Sequence, residues 1–255
     1  MFDNGVMSVQ PLVEQRHGGA RPPGAEPIPV LPALSGLLPD GLPRGQVVMV
    51  DAIGALPVAL VAGAVPARDP ATADRWCGVV GVPEYGALAA ADMGADLDRL
   101  LLIDEPGERW AEVVATLLPA AEVVLVRLPA RPPAGLIRRL TALARQHGAV
   151  LVVAGAWEGA RLRLQVTASL WTGLGDGHGH LRARRVKVVA EGRGAGGRPR
   201  SAWLWLPGPD GSVAAANLVA VPDDQETASE IGAAGSAGRE SAGGAARLEV
   251  VEVAG

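Results

Sequence analysis

The sequence predicts an α/β fold: a doubly wound, mostly parallel sheet with helices on both faces and an antiparallel C-terminal extension. Short apolar runs, Gln46 to Val50, Cys77 to Val82, Arg99 to Ile103, Glu122 to Leu128 and Ala149 to Ala154, recur at regular intervals and several are rich in Val, Ile and Leu. Such runs read as strands buried on both faces of a parallel sheet. Stretches of helical composition separate them, giving the βαβα alternation of a doubly wound sheet. After Ala154 the pattern changes to strand-like segments joined by Gly-rich connections, which predicts antiparallel strands at the end.

In chain order, the expected crossover helices are Ala55 to Ala64, Ala87 to Met93, Glu108 to Leu118 and Ala134 to Gln146. Pro106 precedes the third, where a helix start tolerates proline. The antiparallel strands are expected at Leu162 to Trp171, Arg184 to Val189 and Ala202 to Leu206. Residues 1–31 read as a partly flexible N-terminal segment, 32–207 as the core, and 208–255 as a largely disordered tail. From Asp223 on, the tail has few large apolar side chains to offset the entropy of ordering. Within it Arg247 to Val253 (RLEVVEV) alternates apolar and polar groups, readable as a strand awaiting an edge or as an accident of a frayed end.

The 255 residues suit one substantial core with flexible ends. A net charge of −4 argues against a chain that coats DNA by bulk electrostatics. One cysteine, Cys77, cannot form an internal disulfide, and the scattered histidines show no zinc-site spacing, so no metal is expected. The N-terminus lacks the basic and apolar regions of a secretory signal, and the longest apolar run, Ala55 to Val65, contains Pro57 and is too short to span a bilayer. A cytoplasmic protein without membrane contact, associated with the nucleoid or replisome, is the expectation.

Segments in a particular order resemble the RecA recombinase core. Leu34 to Gly45 (LSGLLPDGLPRG) leads into the strand QVVMV as that family approaches its P-loop. VGVPEYGALAAADMGADLDRLLLI resembles the strand carrying a catalytic glutamate, a helix and the entry to the next strand. AEVVLVRL falls at the Walker B strand, and RARRVKVVAEG resembles the late strand after the DNA-binding loops. The resemblance covers about residues 32 to 207.

Against that family the chemistry is missing. A P-loop uses backbone N–H groups to cradle phosphates, a Lys to reach the β and γ groups, and a Ser or Thr to hold Mg²⁺. Here the stretch is DAIGALP: Gly54 matches a glycine, Ala55 stands at the Lys position and Leu56 at the Ser/Thr position. The sole lysine of the chain, Lys187, lies on a much later strand. Arg127 occupies the Walker B aspartate position, where a cation repels Mg²⁺. Glu84 falls near the water-activating glutamate, and without a phosphate clamp it reads as a surface residue at a strand end. Ala190 and Gly192 stand where the family has lysines that reach a neighbouring subunit's nucleotide. No catalytic residue, cofactor or ATPase activity is expected.

Arg182, Arg184, Arg185, Lys187, Arg193, Arg198 and Arg200 form a basic cluster offset by Glu191. Phosphate contact is one reading and a solvated strand edge is the other. Trp157, Trp171, Trp203 and Trp205 read as core or interface anchors more readily than as base-stacking platforms.

Among RecA-like relatives without ATP chemistry, the chain resembles actinobacterial ImuA-type accessory proteins of damage-inducible mutagenesis. That resemblance implies a non-catalytic role in the SOS response and translesion DNA repair. The implied partners are a Y-family polymerase-like protein and an error-prone DNA polymerase complex, with at most weak DNA contact. A DNA-binding repair regulator and a damage-induced cell-division inhibitor are the alternatives.

Overall fold

In the computed structural model, residues 26–51, 53–67, 74–174, 179–192 and 198–216 are described. The five expected apolar runs form β1 (Val47–Val50), β2 (Cys77–Val80), β3 (Leu100–Ile103), β4 (Val123–Arg127) and β5 (Val150–Ala154). Side chains of β1, β2 and β5 are buried along their whole length, as strands covered on both faces must be. β2 ends two residues before its apolar run does. Gly81 adopts φ +71°, a left-handed conformation that turns the chain out of the sheet while its N–H still bonds the Ile103 carbonyl at 2.8 Å.

The helices are α1 (Ala55–Ala64), α2 (Ala87–Asp92), α3 (Trp110–Leu117) and α4 (Ala134–His147). Pro106 opens a short 3-10 turn, Gly107–Arg109, that leads into α3. Gly148 at φ +66° ends α4. From Leu56 to Ala64 every residue of α1 is buried, as befits a helix apolar all round.

The sheet runs β3-β2-β4-β5-β1-β6-β7-β8-β9, with β6 (Leu162–Leu174), β7 (Gly179–Gly192), β8 (Arg200–Trp205) and β9 (Ala214–Ala215). From β3 to β6 all pairings are parallel, and from β6 to β9 all are antiparallel. One core packs α1 and α2 on the first face; the other packs α3 and α4 on the second. The chain is thus an α/β protein with a mostly parallel central sheet, helices on both faces and an antiparallel extension.

Packing extends past both expected core boundaries. Ile28 is fully buried and bridges Leu42, and Ala216 is buried beside β8. Residues 217–255, with the expected strand Arg247 to Val253, lie outside the described residues.

Candidate functional site

Because β1, β2, β4 and β5 are parallel, their carboxyl ends share one edge of the sheet. The chain leaves β1 for α1 on the first face and β4 for α4 on the second. Diverging connections of this kind open a crevice at the strand ends, the usual ligand position in doubly wound sheets. The crevice here encloses about 320 Å³ and is lined by Asp51, Ile53, Glu84, Arg127, Ala154 and Gly155.

Glu84 and Arg127 form an ion pair across it. β2 and β4 are adjacent, with Val80 opposite Val126, so the residue ending β4 and the loop after β2 meet. Glu84 is thus an exposed residue just after a strand end, as its sequence context suggested, and it is partnered across the crevice by Arg127. Asp51 is engaged too: its Oδ2 accepts the Val166 N–H at 2.9 Å, tying the end of β1 to β6. With Asp51 and Glu84 against Arg127, the lining presents two carboxylates and one guanidinium. A polyphosphate entering it meets net like charge.

Beside the crevice, the loop before α1 borders a smaller hollow of about 110 Å³, which Gly54, Ala55, Leu56, Asp51, Arg184 and Leu206 help to line. Ala55 opens α1 and Leu56 is buried in the core, so neither supplies a polar side chain there. Pro57, in the first turn, lacks one of the N–H groups that a helix start offers an anion.

β7 does not carry the expected basic cluster as one patch. Neighbouring residues on a strand point to opposite faces, so Arg184 and Arg185 part. Arg184 turns to the first face: its Nε donates to Ser169 Oγ at 2.7 Å and its guanidinium lies 5.5 Å from the Trp171 ring centre. Burial lowers the pKa of Arg184, and Asp51 opposes that shift. A register shift between Val166 and Ala168 brings Trp171 onto this face opposite Arg184. Arg185 and Lys187 point to the second face, where Arg185 lies 5.2 Å from the Trp203 ring centre. Arg182, Arg198 and Arg200 are exposed, and Arg193 lies outside the described residues. Nor is β7 an edge, since β6 and β8 flank it.

Trp157 is buried in the second core, Trp171 faces Arg184, and Trp203 and Trp205 are half-buried. Cys77 is buried in β2. Among the described residues, no group of three or more His, Cys, Asp or Glu side chains is placed to hold a metal ion, and no helix is long and apolar enough to cross a membrane.

The crevice and all five strands from β1 to β5 fall within one stretch recognisable in other proteins. Residues 36–159 match the model of the MT3502 N-terminal domain family. The matched span includes Asp51, Glu84 and Arg127 and stops before β6. The chain is also 37% identical over 139 residues to the uncharacterized protein Rv3395c of Mycobacterium tuberculosis (strain ATCC 25618 / H37Rv). That alignment covers 52% of this chain and 65% of the relative.

Proposed function

We propose that this chain is a RecA-like protein without nucleotide chemistry that acts as an accessory factor in DNA-damage-induced translesion synthesis. It works through contacts with a Y-family polymerase-like partner and an associated error-prone polymerase. The observation that carries the non-catalytic part is the Glu84–Arg127 ion pair in the strand-end crevice. It puts a guanidinium where Mg²⁺ would need a carboxylate and engages the carboxylate that would activate water.

The strand order supports a RecA-like core. With β5 alone between β1 and β4, the carboxyl end of β1 opens on the same sheet edge as the ends of β2 and β4, the strands that resemble that family's catalytic-glutamate and Walker B strands. The role in mutagenesis rests on the chain's resemblance, among RecA-like relatives without ATP chemistry, to ImuA-type proteins.

The test is capture of the tagged full-length protein from its own cells after DNA damage, at moderate salt and with nuclease. Recovery of a Y-family polymerase-like protein is expected. Recovery of cell-division proteins instead, or of no protein partner, would overturn the proposal.

A further inference from the structure

We propose that the open second face of β6, β7 and β8 binds single-stranded nucleic acid. The register aligns this face in rows: Leu170, Arg185 and Trp205 in one, Ala168, Lys187 and Trp203 in the next, and Gln165, Val189 and Ser201 beyond. Arg163 follows on β6 opposite Glu191, the carboxylate of this face among the described residues. The core on this side, built from α3, α4 and the strands they cover, includes no residue of β6, β7 or β8. These rows are therefore uncovered by any described helix, and Trp203 and Trp205 stay partly accessible.

The chemistry selects the occupant. Single-stranded nucleic acid is held by cations that follow its backbone and by aromatic rings on which bases stack. Trp203 and Trp205 are two residues apart on one strand, about 7 Å, room for one base on each ring. Lys187 lies directly opposite Trp203 and Arg185 opposite Trp205, and the Arg185 guanidinium leans over the Trp203 ring at 5.2 Å, so both cations flank the two rings and a base on Trp203 takes the place of that guanidinium. A sheet face bearing flat aromatics is a known geometry for unpaired bases, whereas a duplex hides its bases from such a surface. The centre of a protein–protein interface is depleted in charge, and here Arg185 and Lys187 sit between the tryptophans and β6. This surface is separate from the strand-end crevice and does not depend on the accessory role.

The test uses the full chain, a fluorescent thymidine oligonucleotide long enough to cross the three strands, and anisotropy titrations over a range of salt. The native protein should bind, with affinity falling as salt rises. The pair Arg185→Gln and Lys187→Gln should weaken binding about tenfold and flatten the salt slope by about 1.4, roughly 0.7 for each lost phosphate contact. Trp203→Leu should weaken binding about tenfold with the slope unchanged. The pair Arg138→Gln and Arg139→Gln, exposed on α4, should change neither. Circular dichroism verifies each fold, and the charge pair alone decides if Trp203→Leu does not fold. Absence of binding at low salt, equal weakening by the α4 pair, or loss of a protein partner by the face variants with oligonucleotide affinity intact would overturn the proposal.

Discussion

Arg44 and Glu122 form the best-built ion pair among the described residues. The guanidinium is 2.5 Å from a carboxylate with no exposed surface, and the same side chain donates to the Glu26 carbonyl at 2.6 Å. The pair ties the segment before β1 to the start of β4. Removing one partner leaves the other charge buried, so Glu122→Gln should lower stability by about 3 kcal/mol in urea denaturation. Joint replacement by Arg44→Met and Glu122→Leu should recover most of that loss, because no charge is then left uncompensated. Tyr85 makes a different prediction. Its hydroxyl is buried without a hydrogen-bond partner among the described residues, and burial first, then Cys77, raise its pKa above the ordinary tyrosine value of about 10. The folded state thus holds the phenolic proton more tightly than the unfolded chain. The resulting stability is complete below about pH 10 and is lost as pH rises toward the folded pKa, at up to about 1.4 kcal/mol per pH unit. Tyr85→Phe should remove that share of the alkaline loss, measured as urea midpoints on both sides of pH 10, while leaving neutral stability equal or slightly higher.

At the scale of elements, α1 holds the segment before the sheet by close backbone approach. A Cβ at Gly63 would lie 2.6 Å from the Leu31 nitrogen and 2.8 Å from the Val30 Cα. In an exposed helix, Gly→Ala would gain about 1 kcal/mol. Here Gly63→Ala should instead cost about 1–3 kcal/mol in a thermal or chemical melt, because backbone has to move. The parallel strands and α1 were legible because burial on both faces writes itself as unbroken apolar runs. β9 was not: its Ala214–Ala215 pair joins β8 through the backbone and carries no side-chain pattern. The hairpin β6–β7 runs beyond its apolar centre, since its ends pair through the backbone at Leu162–Gly192 and Leu174–Gly179, where glycines carry no side-chain pattern. That Ala55, Leu56 and Arg127 differ from the lysine, hydroxyl and aspartate of a P-loop site could be read residue by residue. The Glu84–Arg127 pair could not, since it needs β2 and β4 as neighbours although β3 separates them in sequence. The division of the basic cluster was half legible: strand alternation separates Arg184 from Arg185, but only the sheet shows which face is covered.

For the whole molecule, the sheet separates two surfaces with different chemistry. The carboxyl edge of the parallel strands holds Asp51, Glu84 and Arg127 in a lining that disfavours polyphosphate, while the uncovered face of the extension carries cations beside tryptophans. Breaking the crevice pair should matter little to folding. Both side chains are more than a third exposed, so Arg127→Ala should shift stability by less than about 1 kcal/mol. We propose that this core works without nucleotide chemistry. The most direct measurement is binding and turnover of ATP with Mg²⁺ by the purified full-length protein. No saturable binding up to millimolar ATP and no phosphate release above buffer are expected. Submillimolar binding, or phosphate release that a substitution at Glu84 abolishes, would contradict the proposal.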